Sequence, residues 1–192
     1  SANTVTGNTA NSNAVYGVSL TSTSNNNTIS NNTANSNASG GFPVSGSSNN
    51  TLTGNTANSN TFEGFTFSST ANDNVLTGNT ANSNTRYGVL VQASAVRNRI
   101  ARNIFRSNQE AGVTILNADT ATLELNDIAL SDSGVRIEGS SRGIVISKNN
   151  LTGIAVKAVY NKAGFVQTLT RNWFGSADSV TISAKISDTA SD

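Results

Sequence analysis

One aliphatic side chain returns at a fixed phase along the whole chain, at Val5, Ile29, Leu52, Leu76, Ile100, Leu123, Ile146 and Leu169. The early members are flanked by hydroxyl residues: Thr4 and Thr6, Thr28 and Ser30, Thr51 and Thr53, with Thr77 after Leu76. This alternation has the period of a strand with one face buried. A second stretch places a small Ala inward at positions 10, 34, 57 and 81, replaced by Phe105, Ile128, Leu151 and Phe174 further on. A third follows a Gly at 17, 41, 64, 88, 112, 134 and 153 and brings paired apolar residues, from Val18 and Leu20 to Ile154 and Val156. Those glycines are expected in turns that need a positive φ. Three short strands in 23 or 24 residues cannot bury their apolar side alone. The pattern therefore predicts a β-solenoid: an all-β, roughly triangular parallel β-helix of about eight coils, three short strands per coil.

The polar positions repeat even more closely. The hexapeptide Asn-Thr-Ala-Asn-Ser-Asn recurs unchanged from residues 8, 32, 55 and 79. Its opening Asn continues at Asn103, Asn126, Asn149 and Asn172, where the rest of the hexapeptide has gone, which predicts a structural ladder of stacked side chains at a turn. Asn13, Asn37, Asn60, Asn84 and Asn108 are expected to do the same at the next corner. The Thr and the second Asn of each hexapeptide face outward, and their repetition points to a demand from outside the fold.

Composition narrows the chemistry. A chain of 192 residues arranged this way is read as a single β-helix domain, 1–192, with regular charge-poor coils over 1–97 and divergent charged coils with a C-terminal cap over 98–192. Residues 1 to 96 carry only Glu63, Asp73 and Arg86 as charges. The absence of Cys, His and Met removes thiolate and imidazole metal sites and the commonest general base. No cofactor or metal is expected. A net charge of +1 gives no reason to expect nucleic acid, and no apolar run is long enough to span a membrane. Asp127, Asp132, Arg136, Glu138 and Lys148 form the one conceivable catalytic cluster. Lacking a partnering signature or room for long loops, they read as a solvated face, so the chain is expected not to be an enzyme. Trp173, Phe174 and a strand near residues 180–182 are expected to cover the C-terminal edge.

The aliphatic residue, the Asn and the later Gly-aliphatic-x-aliphatic together resemble right-handed parallel β-helix repeats of the NosD and carbohydrate-binding/sugar-hydrolysis type. Asn172-Trp173-Phe174-Gly175 resembles the segment that closes many extracellular members. The resemblance implies right-handed coiling and a secreted or extracellular location. The regular coils also resemble β-solenoid ice-binding (antifreeze) proteins, whose flat, charge-free Thr arrays order water. Strands stacked ~4.8 Å apart, with same-face residues ~6.7 Å apart, would turn one face into a two-column grid. That grid comprises Thr9, Asn11, Thr33, Asn35, Thr56, Asn58, Thr80 and Asn82. A secondary row comprises Thr4, Thr6, Thr28, Ser30, Thr51, Thr53 and Thr77. The leading expectation is a monomeric antifreeze protein whose partner is ice or ordered water. The alternative is a carbohydrate-binding or adhesin/structural β-helix module, in which the partner is a glycan and exposed aromatics such as Tyr16, Phe62 and Tyr87 contribute.

Overall fold

The structure, a computed structural model, describes residues 2–188. It is a right-handed parallel β-solenoid of about eight coils with three sheets, roughly triangular in section. The first sheet has eight strands, beginning with Thr4–Thr6 and ending with Thr168–Thr170. Its register stacks Val5 on Ile29, Ile29 on Leu52 and Leu52 on Leu76, as the fixed aliphatic phase requires. The third sheet also has eight strands, from Leu20–Thr21 to Ile186–Asp188. One continuous apolar core fills the space between them, and in it the rings of Phe42 and Phe65 stack at 5.1 Å.

The second side differs from expectation. It is a strand only at Ile104–Arg106, Asp127–Ala129 and Asn150–Thr152; in the regular coils it is reduced to isolated bridges through Thr9, Thr33, Thr56 and Thr80. The hexapeptide itself is the cause. The Oδ1 of Asn11 accepts the backbone N–H of Asn35, and Asn35 and Asn58 do the same for the next coil, so a side chain stands where a ladder carbonyl would. Ser12, Ser36, Ser59 and Ser83 then turn the chain with φ of 55–56°. Where Arg106, Ala129 and Thr152 replace the Asn, backbone pairing resumes.

The glycines of the third side are required for a different reason from the one expected. Of the seven, only Gly153 has a positive φ. At Gly64 an added Cβ would lie 2.6 Å from the Cβ of Ala81 and 2.8 Å from the carbonyl oxygen of Gly88. These positions need the absence of a side chain, because the strand rests directly on the inward residue of the next coil. The seventh coil is also displaced from the expected register. Gly153 is not the equivalent of Gly134; that place is taken by Ala158, since Ser133 pairs with Lys157 and Val135 with Val159. Val156, expected inside, is 64% exposed.

The Asn ladders run along the corners. In the Asn8-to-Asn172 series each backbone N–H and side-chain Nδ2 donates to the Oδ1 of the next Asn, for example Asn32 to Asn55 at 2.9 and 3.0 Å. The Asn13-to-Asn108 series is built in the same way. A third ladder, through Asn3, Asn27, Asn50, Asn74 and Asn98, was not anticipated. At the C-terminal edge a helix, Ser179–Lys185, stands where a strand was expected. Asp178 caps it by accepting from the Thr181 N–H, Lys185 Nζ donates to the Phe174 carbonyl, and Ile182 packs on the core. Phe174 is buried, whereas Trp173 is half exposed.

Candidate functional site

Three outward faces follow from three sides, and they differ in what their side chains are free to do. On the second side Thr9, Thr33, Thr56 and Thr80 form a true column, each bridged in parallel to the next, which ends at Ile104. The adjoining Asn column is fastened to the fold. Asn11, Asn35, Asn58 and Asn82 each accept a backbone N–H from the following coil through Oδ1, the last from Arg106 at 2.9 Å. The expected two-column grid therefore has one column of free hydroxyls and one whose carbonyls serve the backbone. On the first sheet Thr4, Thr28 and Thr51 stack in register up to Val75, and Thr6, Ser30, Thr53 and Thr77 run beside them. Ser30 Oγ donates to Thr6 Oγ1, and beyond Thr77 the sheet carries the Arg99–Glu124 ion pair.

The outer face of the third sheet carries the richest chemistry. Pro43, Thr66, Leu90, Thr114, Arg136 and Tyr160 lie along one column by strand register. Beside that column runs an alternating chain of charges. Arg86 bonds Glu63 at 3.2 Å and Glu110 at 3.1 Å; Arg136 bonds Glu110 at 3.4 Å and Glu138 at 2.6 Å. The Arg86 guanidinium also lies 4.7 Å over the Tyr87 ring and donates to its hydroxyl. Tyr87 and Leu90, each 5% exposed, make a small apolar cluster with Ala111, separate from the main core. Thr114 in the next coil of that column is 1% exposed, with its hydroxyl unpartnered among the described residues.

A depression lies on each side of this ridge. One, of about 370 Å³, is lined by Tyr16, Pro43, Ser45, Glu63, Thr66 and Gln92 among others. The other, of about 480 Å³, is lined chiefly by Glu110, Asp132, Arg136, Val156, Lys157 and Tyr160. Burial pushes the Glu63 carboxyl above the usual carboxylate range, against the opposing pull of Arg86. Burial likewise raises the Tyr87 phenol. Burial works against the charge of Arg86, but the hydrogen bond to Glu110 and the charges around it keep the guanidinium firmly protonated.

Of the cluster Asp127, Asp132, Arg136, Glu138 and Lys148, the structure brings only Asp132, Arg136 and Glu138 to this face. Asp127 pairs with Arg106 on the second side, and Lys148 stands at a corner with φ of 56°. Glu63, Arg86, Tyr87 and Glu110 were not recognised as a cluster. Their signal was present in the numbering: Glu63, Arg86 and Glu110 are 23 and 24 residues apart, one coil each, and so form a column.

Residues 1–128 match the family described as right handed beta helix region, and residues 70–190 match the family described as periplasmic copper-binding protein (NosD). No curated protein matches the chain. Among solved structures it is similar to the periplasmic alginate epimerase AlgG, at 18% identity and a TM-score of 0.84, over 89% of this chain and 45% of that one. It is also similar to the A-module of the Azotobacter vinelandii mannuronan C-5 epimerase AlgE4, at 16% identity and a TM-score of 0.80, over 90% of this chain and 54% of that one. The chain thus spans about half the length of the structures it matches. At these identities the likeness is one of fold. It nevertheless overturns the expectation that the chain is not an enzyme. That expectation rested on coils of near-constant length leaving no room for a catalytic cleft, and coils that superpose on nine-tenths of this chain belong to enzymes. Antifreeze function is not supported by these likenesses.

Proposed function

The chain belongs to the right-handed β-helix repeat family, through both its β-helix and its NosD-type repeats, and we propose that within this family it is a carbohydrate-active module that binds a linear glycan along the outer face of the third sheet. The observation that carries the reading is the pair of depressions flanking the Glu63–Arg86–Glu110–Arg136–Glu138 chain, with Tyr16 at one end and Tyr160 at the other. Ligand sites are concave, with a few polar groups that fix orientation, and this face has both. Planar carboxylates and guanidinium groups suit the paired hydroxyls of a sugar ring. Coils rise ~4.8 Å, close to the advance of one pyranose unit, so a chain lying along the axis meets similar groups at each step. The names of the structural neighbours, both of which act on alginate or mannuronan, support the same class of ligand.

Glu63 is the group best suited to exchange a proton with bound sugar. Its raised pKa keeps the acid form populated closer to neutral pH, as a general acid requires. The copper in the NosD description does not fit these residues. The chain has no His, Cys or Met, and among the described residues no three acidic groups gather to hold a metal. The word periplasmic in the matched names supports an extracellular or periplasmic location. Electrophoresis of the purified chain through gels cast with a panel of soluble glycans tests the reading. Retardation in at least one gel, reduced by Tyr160→Ala, is expected; migration unchanged in all of them sinks it. Proton NMR of the retained glycan, with Glu63→Gln as control, then shows whether turnover accompanies binding.

A further inference from the structure

We propose that the corner joining the first and second sides of coils five to eight is a separate cationic ridge that binds a linear acidic glycan, an inference that does not rest on the reading of the third sheet. The residue before each ladder Asn turns the chain at this corner with a left-handed φ, 56° at Arg102, Leu125, Lys148 and Arg171. In the earlier coils the same place is held by Gly7, Asn31, Gly54 and Gly78. A long side chain is disfavoured at such a φ, where Gly is not. The later coils nevertheless put three cations there, all exposed.

These are also the cations that the fold does not use. Of the 12 Lys and Arg side chains, five arginines form ion pairs, Arg142 and Lys162 lie over aromatic rings, and Lys157 and Lys185 donate to backbone carbonyls. Arg102, Lys148 and Arg171 have no side-chain partner among the described residues. The acids on the two adjoining faces of these coils are Glu124 and Asp127, already paired with Arg99 and Arg106, so the ridge carries an excess of positive charge in a chain of net +1. Its cations are held in place, because the backbone N–H groups of Asn103, Asn126 and Asn149 each donate to the next ladder Asn at 2.9–3.0 Å. Groups fixed in this way lose little freedom on binding.

The spacing points to a sugar chain. Coils rise ~4.8 Å, so the cations stand one and two coils apart, in step with successive pyranose units rather than with the ~3.4 Å per nucleotide of one DNA strand. A guanidinium fork matches the oxygens of a carboxylate or a sulfate ester. Trp173, in register with Asn150 on the second side and 51% exposed, offers a ring to a sugar face beside Arg171.

The test is calorimetric titration of the whole chain with hexagalacturonate, a sulfated dextran oligosaccharide, cellohexaose and a twelve-residue oligothymidylate. At least one acidic sugar is expected to bind, the tighter naming the anion, and its Kd should rise at least about tenfold between about 50 mM and about 500 mM salt. Lys148→Gln with Arg171→Gln, both at exposed positions and checked by circular dichroism, should weaken that binding at least about tenfold, whereas Lys148→Arg should retain it. Acidic-sugar binding that falls with Tyr160→Ala but not with the double variant would belong to the third sheet and overturn the ridge while leaving the earlier reading intact. Heat from neither acidic sugar, or oligothymidylate binding more tightly than both, would equally overturn it.

Discussion

The second side of the regular coils and the outer face of the third sheet arise from the same period, yet they treat their polar groups in opposite ways. On the second side Asn11, Asn35 and Asn58 bond to the backbone of the coil that follows, so each copy is needed by the next. On the third sheet the outward residues bond one another across coils as charges, in an order, Glu63 then Arg86 then Glu110, that never repeats a residue. A polar side chain that serves its own stack is kept identical by the stack. Exact repetition of the Asn column is then a mark of architecture, whereas the Thr column beside it repeats as exactly with its hydroxyls free. The sequence reading took both columns of the hexapeptide as facing a ligand.

The largest effect that would sharpen this contrast comes from deleting a ladder residue. Asn55 is 1% exposed; its Oδ1 accepts the N–H and Nδ2 of Asn32, and its Nδ2 donates to the Ile29 carbonyl. Asn55→Ala leaves those buried groups unpaired and is expected to cost about 3 kcal/mol in urea unfolding. Asn58→Ala, at a half-exposed position where water can replace the lost acceptor, should cost about 1 kcal/mol or less. Equal costs would break the distinction between a buried ladder and a surface fastening. Next in size is Tyr160→Ala on the third sheet. Loss of its ring from the second depression should weaken glycan binding about tenfold, or about 1.4 kcal/mol, with the unfolding midpoint little changed.

A smaller effect is expected in the pH dependence of stability. Because burial raises the Glu63 pKa, the folded protein holds that proton more tightly than the unfolded chain does. Relative to Glu63→Gln, the wild-type protein should therefore gain stability as pH falls through the raised pKa. The gain is complete below the ordinary carboxylate value and disappears as pH rises above the folded one. Paired thermal melts between about pH 7 and about pH 4 measure it. A difference between the two proteins that stays flat, or shrinks on acidification, would mean that the charge of Arg86 outweighs burial.

Much of the scaffold was legible because one buried residue per coil must return at one phase, and Ile29, Leu52 and Leu76 do so without exception. The glycines were located but misread. Gly64 and Gly78 look alike in sequence, yet Gly78 adopts a φ of +65° with open space around it, whereas Gly64 lies against Ala81. Freedom of φ and absence of a Cβ are separate needs met by one residue type. Val156 was misplaced because Gly153 offered the expected motif five residues before Ala158, which holds the true register. The charge column was missed because each member stood alone in its own stretch. Only stacking at the coil period joins Glu63 to Arg86.

The smallest expected effect discriminates most sharply between the two faces. Thr33→Tyr with Thr56→Tyr roughens the centre of the hydroxyl column, at positions that are half exposed and joined to the fold by backbone bridges. Surface changes of this kind usually shift stability by no more than about 0.5 kcal/mol. Glycan retardation should be unchanged, since the column faces away from the third sheet. Neither the wild-type chain nor the double variant is expected to show thermal hysteresis, because the Asn column that would complete an ice-matching grid is held by the backbone of the next coil. A freezing gap present in the wild type and absent in the variant would reverse the comparison. The repeated face would then serve a ligand as well as the stack, and the side-chain bonds of Asn11, Asn35 and Asn58 would be what holds that face flat.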